Sequence, residues 1–296
     1  MAIFGKNKGK RNVTAAQKRE VKSIQEERSN LLTPKSDFFI REAYKTLRTN
    51  VSFALTGEEE CNVIIVTSSM QGEGKSITAT NLAISYAMTD RKVLLVDCDL
   101  RRPKLARLLQ MSSKAGLSNL IMKPELKQQA ILESSTPGLD IMLSGDIPPN
   151  PSELLGSPRM QRLLKQLREE YDFIILDTPP INMVTDAVVL APQSDGVLFL
   201  VRANHTDRGA VMHAVSQLEY AKAKILGFVL NDVNMEKTHY GYKQYRYSRY
   251  SRYGRYGYGH GYGGYGYGRG YGYGYSSSMP PVYPEDNPEN RENEVR

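Results

Sequence analysis

The sequence predicts an α/β fold: a doubly wound, mainly parallel sheet of the phosphate-loop type, with a flexible N-terminal arm and a flexible C-terminal tail. Three observations predict it. Runs such as CNVIIVTSS, KVLLVDCD and DFIILDTPP are almost continuously apolar, as strands buried on both faces are. Helical stretches alternate with them, the pattern of right-handed βαβ crossovers. The ligand site of such a sheet lies beyond the carboxyl ends of its strands, and here those ends carry glycines and aspartates.

The elements follow in order. Residues 1–35 are polar and hold nine Lys/Arg against three acids, so they read as a basic flexible arm. A helix from about Asp37 to Leu55 comes next, with Ser36 as its N-cap. Ile40, Tyr44, Leu47 and Val51 form one apolar stripe on it. CNVIIVTSS is a strand that runs into a glycine turn, and Lys75 to Thr89 is helical. KVLLVDCD, LDIMLSG and DFIILDTPP are three further strands. SPRMQRLLKQLREEY is an amphipathic helix opened by Ser157 and Pro158. GVLFLVRAN and ILGFVLND are two last strands, with a helix from about Arg208 to Lys222 between them. The catalytic body is therefore expected over 36–236 and the tail over 237–296.

Composition excludes several classes. Cys61 and Cys98 are too few for a disulfide framework, and four scattered histidines have no metal-ligand spacing. No apolar run approaches the roughly 18 residues of a membrane span, and MAIFGKNKGKRN lacks the apolar centre of a signal peptide. A cytoplasmic compartment is expected. The formal charge of +7 is uneven: +6 over 1–35, +7 over 237–275 and −3 over 276–296, which leaves −3 for the body. Basic arms suit an anionic membrane surface or a nucleic acid.

Ser69 to Ser76, SMQGEGKS, is the phosphate loop GxxxxGK[ST] with serine for the first glycine. Gly72 and Gly74 let backbone N–H groups face a phosphate, and the helix starting near Lys75 adds its positive end. Lys75 reaches the outer phosphates, and the Ser76 hydroxyl is placed for Mg²⁺. Gly72, Glu73, Gly74, Lys75, Ser76 and Ile77 are the candidate contacts for ATP. Two acids, Asp97 and Asp99, end the second strand, and Asp177 ends FIILD as a Walker B carboxylate. Three carboxylates exceed what one metal needs, so one is free to accept a proton. A phenol, with a pKa of about 10, needs such a base. Asp97 is the candidate base or metal ligand and Asp99 its partner. The HRD, DFG and APE segments of eukaryotic-type kinases are absent.

With TSSMQGEGKSITATNLA, VLLVDCDLRRP, FIILDTPP, EAYKTLR and the tyrosine-rich end, the chain resembles the bacterial tyrosine kinases of capsular and exopolysaccharide synthesis. The resemblance implies ATP- and Mg²⁺-dependent autophosphorylation and a membrane-bound polysaccharide co-polymerase as activator. It also implies a cognate tyrosine phosphatase and a ring-shaped homo-oligomer, an octamer among its candidate sizes. The family's ring motif is Glu-x-x-Arg-x-x-Arg; here it reads Glu42, Lys45 and Arg48, with lysine for the first arginine. If the apolar stripe faces inward, these three residues fall on the outer side of the helix. Asn231 resembles the position that reads adenine in related ATPases. The related partitioning and cell-division ATPases carry a lysine where this chain has Met70, which argues against a membrane-associated switch ATPase.

The tail answers to the same resemblance. Fifteen of the nineteen tyrosines lie at or after Tyr240. Alternating tyrosine and glycine cannot bury enough surface to offset chain entropy, but accessible phenols suit a kinase substrate. Tyr256, Tyr258, Tyr262, Tyr265, Tyr267, Tyr271, Tyr273 and Tyr275 are the candidate phosphoacceptors. Tyr, Gly and Arg are also the composition of RNA-binding tails. Nothing in the body resembles an RNA-binding module, so no nucleic-acid partner is expected.

Overall fold

The computed structural model describes residues 25–55 and 62–233. The tyrosine cluster lies outside the described residues. Seven strands form one sheet in the order β3-β4-β2-β5-β1-β6-β7. They are β1 Asn62–Ser68, β2 Val93–Asp97, β3 Ile131–Glu133, β4 Leu139–Met142, β5 Phe173–Asp177, β6 Gly196–Arg202 and β7 Ile225–Asn231. All pairings are parallel except β3 with β4. The expected doubly wound sheet is present, with β3 as an antiparallel edge strand that the sequence did not reveal.

Alternate residues of β1 serve two cores. Val63 and Ile65 belong to one core, with Leu163, Leu167 and Leu218; Ile64 and Val66 belong to the other, with Leu82 and Val51. Every one of these is under a tenth exposed, which is why the run shows no alternation with polar residues. The main helices are α1 Phe38–Ala54, α2 Lys75–Ala87, α7 Pro158–Arg168 and α9 Arg208–Tyr220. Between β2 and α7 come four short helices: α3 Leu105–Leu109, α4 Leu117–Met122, α5 Lys127–Ala130 and α6 Pro151–Leu155. A further short helix, α8 Asp186–Leu190, precedes β6.

Three expectations are corrected. Asp37, not Ser36, caps α1, accepting the Phe39 N–H at 2.8 Å. Ser36 instead accepts the Thr33 N–H at 2.9 Å, closing the turn before the helix. The arm also ends earlier than residue 35. Residues 25–29 are helical, Leu32 is buried, and its N–H meets Asn81 Oδ1 at 2.7 Å. The third correction concerns the ring motif. Arg48 is four residues after Tyr44 and three before Val51, which places it at the border of the apolar stripe. Its guanidinium turns inward to the Ser85 carbonyl on α2. Only Glu42 and Lys45 stay on the surface, paired with each other at 2.6 Å. The stripe itself is shorter than expected, since Ile40 is exposed.

Candidate nucleotide site

β1 delivers the chain to the phosphate loop and α2 leaves it at Lys75. Positive φ angles of +78° at Gly72 and +92° at Gly74 turn the backbone, as the glycine-rich sequence requires. A Cβ on Gly74 would stand 2.1 Å from Asn231 Nδ2. That amide donates to the Glu73 carbonyl at 2.9 Å, so the end of β7 clasps the loop. Asn231 therefore sits at the loop, and its NH₂ group is engaged there.

Glu73 is placed otherwise than as a nucleotide contact. Its carboxylate is fully buried and accepts the Met70 N–H at 2.8 Å, the Ser69 hydroxyl at 3.2 Å and the Thr206 hydroxyl. It braces the loop from within, and only its backbone is left for a phosphate. Ile77 likewise packs its side chain into the core beneath α2. Lys75 Nζ donates to Ser68 Oγ at 2.9 Å and to the Met70 carbonyl at 3.2 Å. Burial lowers its pKa, while Asp177 pulls it back up.

Asp97 and Asp177 are register partners on adjacent strands, and both are buried. Burial raises both carboxyls, Asp177 to about 6 and Asp97 well above the usual carboxylate range. The Ser76 hydroxyl donates to Asp177, and with Lys75 it holds that rise in check. The two carboxylates also repel each other, which adds to the rise at Asp97. Asp97 accepts the Asp99 N–H at 3.2 Å and the Leu105 N–H at 3.1 Å. Asp99 is half-buried and caps a turn, accepting the N–H groups of Arg101 at 3.3 Å and Arg102 at 2.9 Å.

These residues fit Mg²⁺. Asp177 Oδ1 is buried and has no hydrogen-bond partner, which is costly unless a cation or its water completes the site. Among the described residues no group of three or more His, Cys, Asp or Glu could hold a metal unaided. That agrees with Mg²⁺ carried on nucleotide phosphates and one or two carboxylates. Ser76, Asp97 and Asp177 are the residues that would hold it.

Sequence reasoning missed two neighbours. Arg101 makes a two-pronged contact with the buried Asp186, at 3.0 and 3.2 Å, and a 2.9 Å bond to Ser152, which also donates to Asp186 at 2.9 Å. The network ties the loop after β2 to α6 and α8. Its sequence signal was an acid, Asp186, opening the apolar run DAVVLA. Lys104, just before α3, is a second cation near enough to act electrostatically on both Lys75 and Asp177.

A mainly parallel sheet, a phosphate loop at the end of its interior strand β1 and two strand-end carboxylates define a phosphate-loop nucleotide-binding protein. The AAA domain family matches residues 61–225. Tyrosine-protein kinase YwqD of Bacillus subtilis is 38% identical over 202 residues, 68% of this chain and 85% of YwqD. The chimerical protein CapA2B2 matches with TM-score 0.64 and 36% identity, over 68% of this chain and 89% of that one. The kinase domain of Escherichia coli tyrosine kinase ETK matches with TM-score 0.63 and 34% identity, over 69% and 80%. The chain belongs to the bacterial tyrosine-protein kinases and is a protein-tyrosine kinase built on a phosphate loop. The MinC:MinD complex of Aquifex aeolicus, at TM-score 0.50 and 18% identity, shares the fold alone. Among the described residues no helix is long and apolar enough to cross a membrane.

Proposed function

We propose that this kinase transfers the γ-phosphoryl group of ATP to its own C-terminal tyrosines, Tyr256 to Tyr275, and thereby regulates synthesis and export of a surface polysaccharide. The observation that carries the proposal is the buried Asp97–Asp177 pair beside Lys75, in a chain that keeps fifteen tyrosines at or after Tyr240. Bound Mg²⁺ would neutralise charge on the transferring phosphoryl group. Lys75 and the loop N–H groups bind and orient the phosphates. Asp97, buried at the end of β2 opposite Asp177, would either accept the phenolic proton or hold the metal with Asp177. Asp99 holds the turn after β2 through the N–H groups of Arg101 and Arg102.

The membrane-bound co-polymerase activator, the cognate phosphatase and the ring are part of the same reading, and recruitment to the membrane would run through the activator. Support for an activator comes from the likeness to CapA2B2. The inward turn of Arg48 leaves a ring to rest on Glu42, Lys45 and other surface groups.

The test is phosphotyrosine formation by the purified full chain with ATP and Mg²⁺, with and without the activator's cytoplasmic segment. Lys75→Met and a variant with the eight candidate tyrosines changed to phenylalanine run beside it. Phosphotyrosine that needs Lys75 and is lost with the eight tyrosines supports the proposal. ATP turnover without phosphotyrosine, activator present, refutes it.

A further inference from the structure

A groove of about 700 Å³ lies away from the phosphate loop, between α4, the loop before α6 and the start of α7. Its lining combines two kinds of surface. Met122, Leu126, Leu154, Pro148, Pro149 and Pro158 supply apolar walls, and Met122 is 55% exposed. Lys123, Arg159 and Arg162 line the same groove, and all three are exposed.

None of these three cations has a carboxylate partner among the described residues. Arg159 donates to the Met122 sulfur at 3.4 Å, which brings its guanidinium to the end of α4 where Lys123 follows. Arg159 and Arg162 are three residues apart on α7 and so share a face. The groove's two acids are already engaged: Asp146 accepts from Asn119 at 2.8 Å, and Glu153 from Asn150 at 3.1 Å.

A ligand matched to this surface has a flat apolar body ending in a compact anion. Phosphotyrosine is such a group: a phenyl ring carrying about −1.5 to −2 charges. Two guanidiniums give its oxygens forked, charge-assisted hydrogen bonds. The chain carries its own source, since 63 residues follow Val233 and fifteen tyrosines lie at or after Tyr240.

We infer that the groove binds phosphotyrosyl segments of the chain's own C-terminal cluster, the ring against the proline and methionine walls and the phosphate on Arg159, Arg162 and Lys123. The inference rests on the autophosphorylation proposed above. It gives the reaction product a place on the enzyme separate from the nucleotide site. The unmodified tail, at +7 over residues 237–275, has no reason to seek three cations. Phosphorylation reverses that preference and makes the groove a reader of how far the reaction has gone.

The test uses full-length protein carrying Lys75→Met and treated with a phosphatase, so that its own tail is unmodified. The probe is a fluorescent synthetic peptide of residues 261–275 phosphorylated at Tyr267, compared with its unphosphorylated twin. Because the phosphate is placed by synthesis, the outcome does not depend on whether the chain autophosphorylates. The phosphopeptide is expected to bind about tenfold or more tightly than its twin. Arg159→Ala with Arg162→Ala is expected to erase the difference while leaving thermal unfolding unchanged. Equal binding of the two peptides overturns the inference. So does undiminished phosphopeptide binding by a double variant that unfolds at the wild-type temperature.

Discussion

Asp177→Asn should make the metal- and nucleotide-free protein more stable at neutral pH, not less. The carboxylate is buried with Oδ1 unpartnered, and burial raises its pKa from the ordinary 3.8 to about 6. Folded protein therefore holds a proton there that unfolded chain has already lost between those two values. Stability contributed by the protonated group is present below pH 3.8 and falls as pH rises through 6, levelling above it. The shift of about two units corresponds to about 3 kcal/mol at about 1.4 kcal/mol per unit. Asparagine keeps the shape and removes the charge. Part of the gain is returned because Lys75 loses Asp177, its foremost attractive neighbour.

The net expectation is about 1–3 kcal/mol above pH 7, or several degrees in unfolding temperature for a domain of this size. Thermal unfolding in EDTA from pH 4.5 to 8.5, wild type against variant, reads it directly. The advantage should shrink steadily toward the acid end, where both proteins carry a neutral group. Adding Mg²⁺ with a non-hydrolysable nucleotide should raise the wild type more than the variant. A variant no more stable than wild type at pH 8 refutes the reasoning. So does an advantage that does not change with pH, which would point to packing rather than charge.

Three further outcomes follow from the geometry. Gly74→Ala places a Cβ 2.1 Å from Asn231 Nδ2 at a φ of +92°, so nucleotide affinity measured by titration calorimetry should fall at least tenfold. Arg101→Ala leaves Asp186 buried with only Ser152 as partner and should cost about 1.5–3 kcal/mol in denaturant unfolding, while Arg101→Lys, lacking the fork, recovers only part. Arg48→Ala should lower the unfolding temperature of dilute, monomeric protein, because the side chain is bonded to Ser85 within its own chain; an effect confined to the oligomer would mean that the inward contact is dispensable.

The sheet was legible because burial on both faces leaves a continuous apolar imprint, as in VIIV and LLVD. The phosphate loop and the two buried aspartates were legible for the same reason, standing at the ends of such runs. β3 was not, because two half-buried residues and an exposed glutamate at an edge carry no such imprint. The inward turn of Arg48 was hidden because helical position alone, with the stripe facing inward, set all three motif residues on the outer side. A long side chain at the border of a stripe can bury its stem and carry its charge to a carbonyl. Glu73 was read as a nucleotide contact from its place in the loop; the fold leaves its backbone there and engages its carboxylate with Met70, Ser69 and Thr206.

Those contacts bear on how the site is built. Thr206 bonds Glu73, Arg202 reaches the Gly72 carbonyl at 3.3 Å while held by Asp232 at 2.9 Å, and Asn231 holds the Glu73 carbonyl. All four residues lie at or just beyond the carboxyl ends of β6 and β7, two strands that supply none of the site's carboxylates. The Gly72 and Glu73 carbonyls are thus drawn to one side of the sheet. With the Met70 N–H held by the Glu73 carboxylate, the N–H groups that follow it in the loop are left for a phosphate. Asp97 and Asp177 come from β2 and β5, on the opposite side of β1. The sheet order therefore separates two tasks. Strands on one flank of β1 fix the anion cradle, and strands on the other hold the negative charge that a metal must meet. A strand order that put β2 or β5 next to β7 would bring carboxylates against the cradle. Their repulsion for phosphate would then oppose the binding that the loop provides.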